Sequence, residues 1–185
     1  MNREKALFLD RDGIVNVDYG YVHKKEQVSF IKDIFLICKE AFQLKYQIFI
    51  ITNQAGIARG YYSIQDFKDL TKWIEEEFKS RGIEIKETIF CPYHPEHGIG
   101  EFRKDSDFRK PNPGMINYAS KKYNIDLKKS ILLGDNISDI EAGISAGVIR
   151  NFLYNPEISE KEIYNIQNCT KIDSLLDISQ YLQYE

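Results

Sequence analysis

Ala6-Leu7-Phe8-Leu9-Asp10-Arg11-Asp12-Gly13 is the stretch whose reading decides the fold. Four consecutive apolar residues are too few for a helix and suit a strand buried on both faces. The run stops abruptly at two carboxylates two residues apart, and Gly13 then permits a tight turn. Outward from it, Ile31 to Leu44 has helical apolar spacing, and Gln47 to Thr52 reads as a β-branched and aromatic strand that ends in the polar turn Asn53-Gln54-Ala55-Gly56. Ser63 can cap a helix through about Arg81, with Asp66 completing a capping box and Gly82 stopping it. Glu87 to Cys91 follows as a third strand. A helix from about Met115 to Tyr123 precedes the strand Ile131 to Leu133, closed by Gly134-Asp135-Asn136. A helix from Ser138 then leads to a strand near Val148 to Leu153, and the tail from Asn155 to Glu185 adds a short strand and a helix. Strands alternating with helices predict an α/β fold, a three-layer, doubly wound and mostly parallel sheet.

Size and composition bound the function. The 185 residues, 43% apolar and 29% charged, suit one globular domain over residues 1–185. A net charge of -3 and a pI of about 5.7 give no bulk attraction to nucleic acid or an anionic membrane. An anionic substrate must therefore be met by local charge. The apolar runs are too short to span a bilayer and the N-terminus lacks a signal-peptide core, so a cytoplasmic protein is expected, with a monomer as the default though no sequence feature decides the oligomeric state. Cys38, Cys91 and Cys169 are odd in number and widely spaced, which fits reduced thiols. The segment from Pro92 to Gly114, rich in proline, glycine and charge, is longer than most connections in a compact domain and reads as a functional loop.

The chemistry lies in where the polar residues fall. Asp10, Thr52 and Asp135 each stand at or just past the end of a predicted strand, where doubly wound sheets bind their ligands. Any one of them could instead cap a helix or a turn. Together, Asp10 and Asp12 can present two carboxyls and a backbone carbonyl to one crevice, a set of hard oxygens suited to magnesium. An ionised Asp10 can attack phosphorus to form an aspartyl-phosphate, splitting one difficult hydrolysis into two easier steps. Asp12 can protonate the leaving oxygen and then deprotonate the attacking water. The Thr52 hydroxyl, Asn53 and Lys110 can meet the charge that spreads over the phosphoryl oxygens.

This ordered set resembles the four motifs of the haloacid dehalogenase-like phosphatases: Asp10-Arg11-Asp12-Gly13, Thr52-Asn53, Lys110, and Gly134-Asp135 with Asp139. The resemblance covers roughly residues 5 to 155. It implies a Rossmann-like fold, Asp10 as nucleophile, Asp12 as general acid/base, and Thr52 and Lys110 on the phosphoryl group. It places Mg2+ on Asp10, the Asp12 carbonyl and Asp135, with Asn136 as a further candidate ligand. Three stretches are similar, more narrowly, to the heptose 1,7-bisphosphate 7-phosphatases: Asn16 to Val22, Thr52 to Tyr61, and Arg109 to Met115. That likeness implies substrate contacts from Asp18, Tyr19, Gly20, Tyr21, Gln54, Ala55 and Arg109, no large cap domain, and a place in nucleotide-activated heptose and lipopolysaccharide biosynthesis. Arg59 and Arg109 are two cations that a second phosphate could use.

Two alternatives remain at this stage. Histidinol phosphatases share the first motif but typically follow Thr-Asn-Gln with a loop unlike Gly56-Ile57-Ala58-Arg59-Gly60. A receiver-like signalling domain also groups aspartates, a threonine and a lysine, but accepts its phosphate after a middle strand. The chain also departs from the family at the loop, where a structural zinc is usual. Of the four ligand positions only Cys91 is kept, the others being Tyr93, Ser106 and Phe108. One thiolate cannot close a zinc site. Structural zinc is therefore expected to be absent, with Phe102 and Phe108 packing in its place, and a makeshift site from Cys91, His94 and His97 is the alternative.

Overall fold

The structure is a computed structural model that describes residues 3–183. Its centre is strand β1 (Lys5–Leu9), in which Ala6, Leu7, Phe8 and Leu9 are all fully buried. Burial on both faces is what the unbroken apolar run required. Alternation sends Leu7 and Leu9 to one face, against a cluster that includes Ile34, Ile37 and Phe78, and Ala6 and Phe8 to the other, against Met115, Ile116 and Ile140. The neighbouring strands β2 (Tyr46–Asn53) and β4 (Ile131–Gly134) divide in the same way. Period-two alternation through three adjacent strands therefore builds two cores, one on each side of the sheet.

With β3 (Ile85–Cys91), β5 (Arg150–Leu153) and β6 (Cys169–Lys171), six parallel strands pair in the order β3-β2-β1-β4-β5-β6 among the described residues. The expected mostly parallel sheet is wholly parallel in this region. Helices α1 (Ile34–Gln43) and α3 (Ile64–Ser80) cover one face, and α4 (Gly114–Tyr123) and α5 (Ile137–Ala146) the other. Buried positions Phe67, Leu70, Ile74 and Phe78 form the inner stripe of α3 at helical spacing. Ser63 and Asp66 exchange the two bonds of a capping box at its start, Ser63 Oγ accepting from the Asp66 N–H at 3.1 Å.

Two local readings change. Helix α1 begins at Ile34 rather than Ile31, because Asp33 adopts a left-handed φ of 68° that a continuing helix excludes. The turn after Thr52 winds into a one-turn helix, α2 (Ala55–Ala58). Short elements α6 (Glu160–Ile163) and α7 (Ser179–Leu182) complete the tail.

Strand order runs outward in both directions from the β1–β4 pair, so the sequence order reverses there. Chain segments leaving the two carboxyl ends diverge to opposite faces and leave a crevice between them. No large cap domain is inserted among the described residues. The long loop after β3 has its own fastenings instead. The His94 N–H donates to the Phe102 carbonyl at 3.1 Å and the Ile99 N–H to the Ala58 carbonyl at 2.9 Å. Phe102 packs on Ile57, Tyr62 and Phe67, and Phe108 on the other core beside Tyr118, 5.8 Å away between ring centroids. Lys104 Nζ sits 4.0 Å over the Tyr93 ring.

Phe102 thus ties the loop to α2 and α3. Phe102→Ala should raise amide exchange across residues 92–114 by about tenfold while leaving the exchange of β1 and β4 unchanged. Exchange mass spectrometry reads both regions in one experiment, and equal protection in the loop would remove Phe102 as its anchor.

Candidate active site

The end of β1 delivers Asp10 to the crevice and the end of β4 delivers Asp135. Asp139 comes from the first turn of α5, and Lys110 from the last part of the long loop. Lys110 Nζ donates to Asp10 Oδ1 at 2.6 Å and to the Ile51 carbonyl at 3.0 Å, and lies 2.6 Å from Asp139 Oδ1. All three side chains are nearly inaccessible. Asp10, Asp135 and Asp139 place ligand oxygens within 4.8 Å of one another, the one such grouping of acidic, histidine or cysteine side chains among the described residues.

Glycines make this closeness sterically feasible. A Cβ at Gly13, whose φ is +93°, would lie 2.1 Å from Asp135 Oδ2, and one at Gly134 would lie 2.3 Å from the Asp139 Cβ. Any side chain at either position would push the carboxylates apart. Asn53 adds a bracket: its Oδ1 accepts from the Lys110 N–H and its Nδ2 donates to the Lys110 carbonyl, both at 3.0 Å. The side-chain amide expected to face phosphate is therefore committed to holding Lys110.

Burial pushes the Asp10 carboxyl well above the usual range. Lys110 opposes that rise, and Asp139 and Asp135 add to it. Burial and Asp139 push Asp135 up to about 7. Burial alone would lower Lys110, but Asp10 and Asp139 outweigh it and keep the lysine protonated. When all three carboxyls are ionised, they leave two surplus negative charges around the one ammonium, the amount a divalent cation would neutralise. Oxygen ligands alone at this spacing suit a hard cation.

Asp12 lies on the cleft wall beside them. Arg11 Nη2 donates to its two oxygens at 2.8 and 2.7 Å, Asn16 Nδ2 to Oδ1 at 3.0 Å, and Gln54 Nε2 to Oδ2 at 3.2 Å. Arg11 is itself buried, donating to the Val22 carbonyl at 2.8 Å. Neither Arg11 nor Asn16 was singled out from sequence, because nothing in their spacing marks a side chain that turns inward.

The cleft encloses about 600 Å³. Of the residues read from sequence, Asp10, Asp12, Asp18, Gly20, Tyr21, Thr52, Asn53, Gln54, Ala55, Arg109, Lys110, Asp135 and Asn136 line it. Tyr19 and Arg59 do not. The Tyr19 side chain is 63% exposed, and Arg59 sits at the end of α2 beyond the lining. Asn136 caps α5 by accepting from the Ser138 N–H at 3.1 Å, so its side chain serves the helix. The Tyr62 phenol joins the lining without having been foreseen.

Of the four positions that hold zinc in the family, only Cys91 carries a ligand suited to it, the others being Tyr93, Ser106 and Phe108. The Cys91 thiol is pushed up by burial and donates weakly to the Tyr93 carbonyl at 3.9 Å. The Tyr93 ring packs against Phe102, and Phe108 is turned into the core. The His94 and His97 rings meet at a tilt of 35°, 4.6 Å between centroids, without joining Cys91 in a group of three ligand atoms.

Comparison with known proteins places this geometry. The family model described as HAD-hydrolase-like matches residues 107–166. The D-glycero-alpha-D-manno-heptose-1,7-bisphosphate 7-phosphatase of Burkholderia mallei is 50% identical over 146 residues, 79% of this chain and 77% of that one. The chain belongs to the heptose-bisphosphate 7-phosphatase family of haloacid dehalogenase-like hydrolases. Within this family the D-glycero-beta-D-manno-heptose-1,7-bisphosphate 7-phosphatase of Vibrio cholerae is 38% identical over 177 residues, 96% of this chain and 95% of that one. The fold recurs in the D,D-heptose 1,7-bisphosphate phosphatase of B. bronchiseptica, solved with magnesium and phosphate. The two share a TM-score of 0.84 at 23% identity, over 96% of this chain and 97% of that one. Like its relatives, the chain is a phosphatase by family.

Proposed function

We propose that this chain removes the 7-phosphate of D-glycero-D-manno-heptose 1,7-bisphosphate through an aspartyl-phosphate on Asp10, with Mg2+ as cofactor. The observation that carries the reading is the buried Asp10–Lys110–Asp139 array beside Asp135, at the carboxyl ends of β1 and β4. Magnesium would be held by Asp10, the Asp12 carbonyl and Asp135, and would neutralise the surplus charge there. Lys110 and the Thr52 hydroxyl bear on the phosphoryl oxygens, Lys110 holding its proton throughout. Asp12, which lines the same cleft, would serve both the leaving oxygen and the entering water, its carboxylate steered by Arg11, Asn16 and Gln54. The second phosphate falls to Arg109, whose guanidinium is anchored on the Tyr93 carbonyl at 3.3 Å and lines the cleft. Arg59 and Tyr19 are assigned no direct contact with the substrate. The reaction would serve nucleotide-activated heptose synthesis in the cytoplasm, by a monomer of one domain.

Histidinol phosphate is the second substrate considered, and relatives carry names for both heptose anomers. A phosphate-release screen with magnesium, covering both anomers of the bisphosphate, histidinol phosphate and generic sugar phosphates, decides among them. A heptose bisphosphate is expected to give the highest kcat/KM, and a preference for histidinol phosphate would overturn the substrate. Asp10→Asn should lower kcat at least about a thousandfold with its circular dichroism unchanged. Substantial turnover in that folded variant would remove the nucleophile.

Removing a cluster carboxylate should affect stability with a defined sign. Asp135 binds its proton up to about pH 7 in the folded, metal-free protein but only to about 3.9 when unfolded. The folded state therefore holds more protons across that window, and this group's contribution to stability falls as pH rises through it. At pH 8 Asp135→Asn should melt about 5 °C higher than the metal-free parent, and should lose the rise in Tm that magnesium gives the parent. A variant that melts lower without metal, or that still gains from magnesium, would contradict the charge balance.

The 92–114 loop is held without zinc in this reading, supported by the anchors of Phe102 and Phe108. Protein purified without added zinc should contain less than about 0.1 equivalent of it by elemental analysis. Close to one equivalent would reinstate a metal site.

A further inference from the structure

The Tyr62 phenol, only 8% exposed, donates to Gln54 Oε1 at 2.5 Å. That oxygen can only accept, so the direction of the bond is fixed. The other end of the same amide is fixed in turn. Gln54 Nε2 faces Thr52 Oγ1 at 2.8 Å and Asp12 Oδ2 at 3.2 Å, and Gln54 and Thr52 are each 1% exposed. Two N–H donors meet two acceptors, and no polar atom of the amide is left over.

The polarity of this chain has a chemical consequence. Because Thr52 Oγ1 accepts from Gln54, its own proton is free to point into the cleft. With the amide reversed, Gln54 Oε1 would compete for that proton and would also confront the Asp12 carboxylate oxygen with oxygen. The Asp12 carboxylate, which can only accept, excludes the reversed amide, and the phenol supplies the donor that holds the remaining Oε1 in place. The position of the phenol is set by packing on both sides of the ring. A Cβ at Gly56 would lie 2.2 Å from Tyr62 Cε1, so helix α2 presses directly on the ring, and His23 stacks on it at 5.0 Å with planes 6° apart. Burial, assisted by Asp12 and against the effect of Arg11, pushes the phenol up to about 12, so it remains a donor over the working range.

We infer that Tyr62 is a positioning residue that fixes the amide of Gln54, and through it turns the Thr52 hydroxyl toward the phosphoryl group and holds Asp12 in line. The inference rests on the proposed roles of Thr52 and Asp12. Tyr62 touches neither substrate nor metal in this scheme. Its influence belongs to the chemical step, since oriented donors count most where charge develops.

Tyr62→Phe removes only the hydroxyl and keeps the ring against Gly56 and His23. With the fastest ester of the phosphate-release screen, kcat should fall about 10- to 100-fold while KM stays within about threefold, the loss usual for a partner that orients a reacting group. The second test is Gln54→Leu. If Tyr62 acts through Gln54, the Tyr62→Phe, Gln54→Leu double variant should be no slower than Gln54→Leu alone. A kcat within twofold of the parent in Tyr62→Phe, or effects that multiply in the double variant, would overturn the inference. Thermal melts separate either result from unfolding. The side-chain amide resonances of Gln54 provide a readout independent of turnover: they should shift in Tyr62→Phe while backbone resonances of β1 and β4 do not. Unchanged Gln54 resonances would overturn the inference even if no tested ester were hydrolysed, an outcome that would count separately against the proposed function.

Discussion

Lys110 between Asp10 and Asp139 is the constraint around which the rest of the molecule is arranged. Removing one ammonium and two carboxylates from water is expensive, and their attraction compensates only when the geometry is close and the remaining bonding positions are filled. Here both contacts are 2.6 Å, and the ammonium also meets the Ile51 carbonyl at 3.0 Å. The main chain of Lys110 is fixed from both sides by Asn53. Asp139 is fixed by the Asn136 N–H, which donates to Oδ2 at 3.0 Å. A flexible lysine is thereby turned into a rigid point charge, and the entropy of ordering it is met by β2 and α5 rather than by substrate.

That array explains features of the fold which otherwise look unrelated. Gly13 and Gly134 are needed because the carboxylates of neighbouring segments must approach closer than a Cβ permits. The long loop must return precisely to the end of β2, because its last residues carry Arg109 and Lys110. The surplus negative charge of the array leaves the metal-free site electrostatically unfinished, with Asp135 protonating near neutrality. A site in that condition gains more from a bound cation than a balanced one does, since the cation relieves repulsion as well as adding attraction.

Much of this was legible in the sequence, for identifiable reasons. Asp10 and Asp135 could be read because an apolar run ending at a carboxylate marks both a strand and its carboxyl end. Their order along the chain then carried Thr52 and Lys110, which mean little singly. What escaped the sequence depends on the direction of side chains rather than the order of residues. Asn53 lines the cleft as expected, but its side-chain amide is spent on the main chain of Lys110. Arg11, given no role from the sequence, is buried and holds one of the two aspartates that flank it. Tyr62 sits among ordinary surface-like residues, and only the one-turn helix α2 brings its phenol beneath Gln54. Arg59, read as a cation at the mouth, is carried beyond the lining by that same turn of helix.

A long loop can be fastened by two kinds of physics. A metal site concentrates its holding power at a point and depends on deprotonated ligands, so it responds to acid and to chelators. Here the fastening is spread between Phe102 on one core and Phe108 on the other, with Tyr93 clasped between Phe102 and Lys104. Apolar anchors are indifferent to chelators but weaken on cooling, because the hydrophobic driving force fades at low temperature. They are also less exact in angle than coordination bonds. The precision needed at Arg109 and Lys110 is therefore supplied by hydrogen bonds at the end of the loop, from Asn53 to Lys110 and from Arg109 to the Tyr93 carbonyl. Apolar contacts keep the loop in place, and directional polar ones aim its two cations.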